Sequence, residues 1–332
     1  MALVLGIDGG GSKTLMCLAD RNGRILLSIL GAGTNPMDNR DWLKNLAAVL
    51  QPAVSRLGEI EFAVLGLGGQ GEIPRLDAEV AHGIASLLPG LPHRIENDVY
   101  LAQEAAFLGE AGILLIAGTG SMAVVRNQEG EVSRVGGWGD LVGDEGSGFW
   151  IGREALAKTT QALDGRSQAR VFAEAILAEL PTAPSGADAI FNWLAGLGHA
   201  RSEIAALTPA VARVAETGNP DAIALLSAAT GHLAAHVTAA QKASGSKEPL
   251  GWSAYGGLLK IGVIVRDLEA RLGPMTAPRL PPVGGALWQA ARQAGWAGDA
   301  HWVDTLARSL ALTTAVPAAS AQPAILGQKN PA

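Results

Sequence analysis

Two glycine-rich turns carry hydroxyl side chains, and acidic residues stand beside them. Asp8-Gly9-Gly10-Gly11-Ser12-Lys13-Thr14 lies between two apolar runs, and Ala117-Gly118-Thr119-Gly120-Ser121 lies between two more. Adjacent glycines let backbone N–H groups converge on an anion with no Cβ in the way, and Ser and Thr hydroxyls add donors. The chemistry this suggests is a phosphate clamped from two sides. A carboxylate at Asp8, beside a polyphosphate, suits Mg2+, which keeps several waters and takes one or two carboxylates. The competing readings are hairpins that use glycine for geometry alone and a turn aspartate at Asp8. The Asp8–Thr14 turn matches neither a Gly-x-x-x-x-Gly-Lys-Ser/Thr loop nor a Gly-x-Gly-x-x-Gly fingerprint, and a strand follows it where those motifs need a helix.

Further acidic residues invite a chemical reading. Asp98, in Ile95-Glu96-Asn97-Asp98-Val99, ends a short extended run just before a helical pattern. Open α/β sheets place their ligands there, and aspartate also serves there as an N-cap; the pattern leaves both readings open. Asp144 and Glu145 are neighbours, so on an extended segment they face opposite ways. His232 and His236 have i, i+4 spacing on a helix, but no third ligand cluster accompanies them, and a helix surface is the better reading. Trp138 reads as packing rather than as a ligand.

The elements that must position these residues come in a repeat. Leu3–Leu27 runs strand, Gly-rich turn, strand, turn, strand, and Ile113–Val135 does the same. A constant offset of 107 residues relates Gly11 to Gly118, Gly23 to Gly130, Ser12 to Thr119 and Thr14 to Ser121. Between the copies the pattern alternates: helix over Asp41–Leu57, strand over Phe62–Leu67, helix over Ile73–Leu88, extended over His93–Ile95, helix over Val99–Phe107. Such alternation predicts an α/β fold with mixed sheets covered on both faces. From Glu154 to about Gly245 the pattern is helical and Ala-rich; a strand then enters Tyr255-Gly256-Gly257, with a helix from Leu258.

Composition bounds the rest. Of 332 residues, 43 are Gly, about twice the usual share, while charged residues make up 17% and hydrophobics 48%. A chain this apolar buries a core, which excludes disorder. A net charge of −6 argues against nucleic acid as a partner. No apolar run reaches the span of a bilayer, the N-terminus reads as a buried strand and not as a signal peptide, and a cytoplasmic protein is expected. The single cysteine, Cys17, allows neither an internal disulfide nor a thiolate cluster.

The first hairpin, Leu5-Gly6-Ile7-Asp8-Gly9-Gly10-Gly11-Ser12-Lys13-Thr14, and the second, Ala117-Gly118-Thr119-Gly120-Ser121, resemble the phosphate motifs of the actin-like ATPase superfamily of sugar kinases. More specifically, Gly136-Gly137-Trp138-Gly139-Asp140-Leu141-Val142-Gly143-Asp144-Glu145-Gly146-Ser147-Gly148 is similar to N-acetylglucosamine and glucosamine kinases of the BadF/BadG/BcrA/BcrD type. The resemblance implies duplicated, ribonuclease H-like domains with five-stranded mixed sheets, a cleft between them, and use of ATP with Mg2+. It implies that Asp8 organises Mg2+, that the turns at Gly10, Gly11, Ser12, Lys13 and Thr14 and at Gly118, Thr119 and Gly120 hold phosphates, and that Gly256 and Gly257 lie against adenosine. It implies Asp98 as general base, with Asn35, Thr119, Gly120, Gly137 and Asp144 around an amino sugar; Gly69 and Gln70 are expected beside it, in a loop where related kinases vary, and Glu145 is expected in support of Asp144 or in the Mg2+ shell. Gly284, Gly285 and Ala286 match a closing helix.

The expected division is 1–112, 113–315 and an Ala/Pro-rich tail over 316–332. The expected activity is phosphoryl transfer to the 6-hydroxyl of N-acetylglucosamine or glucosamine, by an assembly in which a homodimer is common among similar kinases. Val99 departs from the family, which often has Ala or Tyr after the base. The rival expectations are a kinase of another amino sugar or of anhydro-muramic acid, a reductase-activating ATPase, which needs cluster-bridging cysteines, and a non-catalytic sugar-sensing regulator, which needs a DNA-binding segment.

Overall fold

Apolar runs interrupted by turn residues set the strands. The computed structural model describes residues 1–37, 39–180 and 187–314, so the tail expected over 316–332 lies outside the described residues. The chain folds as two compact units: Met1–Asp98 with the segment that begins at Leu280, and Val99–Arg279.

In the first unit, β1 (Leu3–Gly9), β2 (Lys13–Asp20) and β3 (Ile25–Ala32) form an antiparallel meander. Helix α1 (Trp42–Leu50) leads through a 3-10 segment to β4 (Ile60–Leu67), α2 (Pro74–Leu87) and β5 (His93–Asn97). β4 pairs parallel to β1 and β5 parallel to β4, giving the order β3-β2-β1-β4-β5. β1 is buried on both faces, as its unbroken apolar run requires. Leu3, Leu5 and Ile7 pack with Leu46 and Val49 of α1 and Val80 and Ile84 of α2.

The second unit opens with α3 (Asp98–Phe107), whose first residue still counts with the first unit. β6 (Gly112–Ala117), β7 (Ser121–Arg126) and β8 (Val132–Gly136) repeat the meander. Among the described residues six helices follow: α4 (Gly148–Leu163), α5 (Arg170–Ala178), α6 (Ala187–Ala195), α7 (Ala200–Ala205), α8 (Thr208–Glu216) and α9 (Pro220–Ala243). β9 (Trp252–Tyr255) then pairs parallel to β6, giving β8-β7-β6-β9, and α10 (Gly262–Leu272) follows. Strand alternation sends Ile113, Leu115 and Ala117 toward the core of α4, α5, α8, α9 and α10. Leu114 faces the other way, onto Ala102, Ala106 and Phe107 of α3.

The chain then rejoins the first unit through α11 (Pro282–Gln293) and α12 (Ala300–Thr314). α11 covers the sheet face opposite α1 and α2: Gly6 of β1 leaves only the space that Leu287 fills, since a Cβ at Gly6 would lie 2.7 Å from Leu287 Cγ. Trp302 Nε1 donates to the Asp20 carbonyl at 3.3 Å, and Ile25 N donates to Ser309 Oγ at 2.9 Å.

Several expectations change. The division follows contacts rather than chain order: it falls after Asp98, not after residue 112, and the C-terminal helices return to the first unit. Only the first sheet has five strands; the second has four among the described residues. Thr276 N does donate to the Trp252 carbonyl beside β9, at 2.8 Å, but Pro274 and Pro278 flank it, and residues without an N–H cannot continue a ladder. The helix expected through Leu57 turns 3-10 after Leu50, where Pro52 stands in its first turn. α9 is long and apolar enough by length and composition to cross a membrane, although no such run was expected. Half of its apolar window is buried, and it packs on β6, β7 and β8 as a core helix.

Candidate active site

In the first unit, the chain leaves β1 at a turn whose carbonyl organises a second loop. Gly10 N donates to the Lys13 carbonyl at 3.0 Å, and the Gly10 carbonyl accepts from Thr34 N at 3.0 Å and Asn35 N at 3.3 Å. Asn35 is thereby placed beside the β4 exit: its Oδ1 accepts from Met37 N at 2.9 Å, and a Cβ at Gly68 would lie 3.1 Å from its Nδ2. Gly11, Ser12 and Lys13 are exposed. Thr14 is not: its hydroxyl lies 2.9 Å from that of Thr34, both fully buried, so it braces the base of the turn and does not face a ligand.

Asp8, at the end of β1, is partly buried, and loss of water pushes its carboxyl up to about 6, against the pull of Lys13. A carboxylate that is costly to ionise alone is stabilised by a cation, so the residue suits Mg2+. Among the described residues no group of three or more His, Cys, Asp or Glu forms a protein-only metal site.

Asp98 begins α3 at the end of β5. Its Oδ2 lies 4.0 Å from where a Cβ on Gly10 would stand, so the first turn and this carboxylate are neighbours. Asn97 Nδ2 donates to the Gln70 carbonyl at 3.0 Å and thus ties the β5 end to the Gly69-Gln70 loop. Gln70 Oε1 is buried without a hydrogen-bond partner among the described residues. Such an acceptor is expensive to leave unmet, and a donor on a ligand would satisfy it.

The second unit repeats the arrangement. Gly118 N donates to the Gly120 carbonyl at 3.0 Å; the carbonyls of Gly118 and Thr119 accept from Gly148 N at 2.8 Å and Phe149 N at 3.1 Å. Here Ala117 pairs with Ser121, leaving three turn residues, whereas Gly9 pairs with Thr14, leaving four. The loop from Gly136 to Ser147 folds back on this turn. Ser147 caps α4 by accepting from Trp150 N, and Ser121 Oγ donates to the Glu145 carbonyl at 2.8 Å. Asp144 adopts φ +58°, a conformation aspartate tolerates better than most residues. It is buried, accepts from Ser121 N through Oδ1 at 3.1 Å, and accepts from Arg201 Nη2 through Oδ2 at 2.5 Å.

Beside this turn lies a cavity of about 540 Å³, lined in part by Gly118, Thr119, Ala205, Thr208, Gly257 and Leu258. It is large and apolar enough for a nucleoside. Gly257 lines it directly. Gly256 holds the wall close: at φ +131°, with a Cβ position 2.8 Å from Gly118 N, it admits no side chain.

The structure thus groups Asp8, Gly10, Asn35, Gly69, Gln70 and Asp98 in one unit, and Gly118, Thr119, Gly120, Gly137, Asp144, Gly256 and Gly257 in the other. Gly284, Gly285 and Ala286 are buried in α11. Trp138 is 69% exposed, with Arg134 5.4 Å from its ring centre, because the loop turns it outward; it is not packing. His236 is buried, not on a helix surface: its Nδ1 lies 2.9 Å from the His232 carbonyl and its ring abuts Gly136. The sequence placed Ser121 in the second turn without showing its partners, and it gave no signal for the roles of Thr34 and Arg201. Thr34 and Ser121 partner the turns through bonds that only folding creates, and Arg201 comes from the helical stretch, far from any motif.

The sequence model of the BadF/BadG/BcrA/BcrD ATPase family matches residues 5–287. An N-acetylmuramic acid/N-acetylglucosamine kinase of Clostridium acetobutylicum is 30% identical over 216 residues, 64% of this chain and 70% of the relative. An N-acetyl-D-glucosamine kinase of Dictyostelium discoideum is 29% identical over 180 residues, 49% of this chain and 55% of the relative. A solved structure from Chromobacterium violaceum, assigned to N-acetylglucosamine kinase, superposes with a TM-score of 0.74 at 26% identity, covering 87% of this chain and 99% of that one.

Proposed function

Because the chain belongs to the BadF/BadG/BcrA/BcrD ATPase family, we propose that it is an ATP-dependent sugar kinase that phosphorylates the 6-hydroxyl of N-acetylglucosamine or a close amino sugar. The observation that carries this reading is the duplicated turn: each Gly-rich turn holds a second loop through its own carbonyl, Asp8 and Asp98 flank the first, and the cavity flanks the second.

Phosphoryl transfer needs alignment and charge neutralisation more than covalent help. The N–H groups and hydroxyls at Gly10–Lys13 and Gly118–Gly120 would meet phosphate oxygens, and the cavity beside Gly257 would take the nucleoside. Asp8 would hold Mg2+, which when bound offsets negative charge on the phosphates. Asp98 accepts the proton of the sugar hydroxyl as its oxygen bonds to the γ-phosphorus; the bond from that phosphorus to the bridging oxygen breaks, and ADP leaves. General-base help of this kind is worth about 10²- to 10⁴-fold. Asn35, Gln70 and Asp144 would bind the sugar's polar groups. A reductase-activating role is disfavoured by Cys17, the chain's one cysteine, which is buried in β2 and donates to Ser28 Oγ.

Sugar-dependent ADP release from Mg-ATP tests the reading. N-acetylglucosamine is expected to stimulate release most, with glucosamine, N-acetylmannosamine and N-acetylmuramic acid compared beside it. Asp98→Asn should lower kcat by about 10²-fold or more with little change in the KM for ATP. No stimulation by any amino sugar overturns the kinase reading, whereas a fully active Asp98→Asn overturns only the base assignment.

A further inference from the structure

α7, in the helical stretch between the second turn's loop and β9, carries two different contacts on one short element. Its Arg201 donates from Nη2 to Asp144 Oδ2 at 2.5 Å, and Arg201 Nε lies 3.8 Å from Asp140 Oδ1. Its Ser202 and Ala205 line the cavity that also takes in Gly118, Thr119 and Gly257. One helix therefore grips the loop from Gly136 to Ser147 and walls the candidate nucleoside cavity.

The ion pair is fitted tightly to the turn. Asp144 is 2% exposed, and a Cβ on Gly120 would lie 2.5 Å from Arg201 Nη2 and 2.9 Å from Asp144 Oδ1. Only glycine at that position lets the pair lie against the turn. Arg201 Nε is buried and has no hydrogen-bond partner among the described residues, so the guanidinium is held by Asp144 and keeps one donor unmet. A buried carboxylate stripped of its cationic partner is strongly destabilised in place; it takes up a proton or swings out.

We propose that Arg201 is a positioning residue that fixes the Asp144 carboxylate for the sugar and couples occupancy of the sugar loop to the wall of the nucleotide cavity. The proposal rests on the amino-sugar kinase reading above. With sugar bound at Asp144, the loop, Arg201 and α7 settle into one arrangement, and the cavity wall at Ser202 and Ala205 settles with them. Linkage then makes the effect reciprocal: sugar raises affinity for nucleotide by the same factor as nucleotide raises affinity for sugar.

Titration calorimetry on the full chain decides it, with N-acetylglucosamine alone, ADP alone, and each in the presence of the other. The wild type should show mutual enhancement of about 5-fold or more. Arg201→Gln should weaken sugar binding by about 10- to 100-fold, the worth of a charge-assisted hydrogen bond. The same variant should leave the affinity for ADP alone within about twofold and reduce the enhancement to about one. Arg201→Lys, which keeps a point charge without the fork, should fall between the two. Unchanged sugar affinity in Arg201→Gln, or an equal loss for ADP alone, overturns the proposal. Should the Gln variant fail to fold, the Lys variant decides: sugar affinity equal to the wild type's overturns it, and a selective loss supports it. A wild type that binds no amino sugar overturns the kinase reading as well, which separates the two failures.

Discussion

Among single residues, Asp8 and Asp98 differ in how much the chain alone reveals. Asp8 stands at a strand end next to glycines, and that local pattern already suggests a cation partner. Asp98 is ambiguous from its neighbours, since a helix start suits a cap and a base equally. The family resemblance favours the base, and folding adds to it by setting the carboxylate near Gly10. Thr14 shows the reverse: a hydroxyl in a phosphate-binding pattern is spent on Thr34 inside the strand pair. Cys17 offers a residue-scale prediction. Burial pushes its thiol up to about 11, so at pH 8 only about one molecule in a thousand is the reactive thiolate. Iodoacetamide at pH 8 should leave the native protein unlabelled and label it once urea unfolds it. Rapid labelling of the native protein, read by mass spectrometry, contradicts this.

At the level of elements, each hairpin turn works through what its carbonyl accepts. The Gly10 carbonyl places Thr34 and Asn35; the Gly118 carbonyl places the start of α4. The 107-residue repeat is visible in the sequence because hairpin chemistry is local. The partner loops are not visible, because those bonds join residues about 20 to 30 positions apart with no spacing rule. The β9 exit carries the clearest test. Gly256 combines φ +131° with a Cβ position 2.8 Å from Gly118 N. Gly256→Ala should therefore destabilise the protein by about 1 to 3 kcal/mol and weaken ADP binding. Thermal melts and ADP titration read both, and an unaltered variant means the turn does not constrain the cavity wall. The charge-paired Arg126 and Glu104 tie α3 to β7 in the same unit, which the separate patterns of helix and strand do not disclose.

For the molecule as a whole, chain order and spatial order part company. The first unit is completed by α11 and α12, which arrive after the entire second unit has been made. Gly6, Asp20 and Ile25 each meet a partner more than 280 residues on. Removing everything after Arg279 should strip one face of the β1-centred sheet, leave Val4 and Cys17 without cover, and abolish a cooperative melt of the first unit. A fragment 1–279 whose first unit shows native hydrogen-exchange protection counts against that arrangement.

The sequence by itself determined the strand–turn–strand repeat, the α/β class, and most of the residues that crowd the two turns. Those signals are short-range: side-chain alternation, glycine freedom and turn chemistry act over a few positions. Tertiary structure alone decided where the unit boundary falls, that the second sheet has four strands among the described residues, and that Arg201 reaches Asp144. Each of these depends on distant segments brought together by burial of apolar surface, a force without direction or spacing that leaves little periodic trace in the chain.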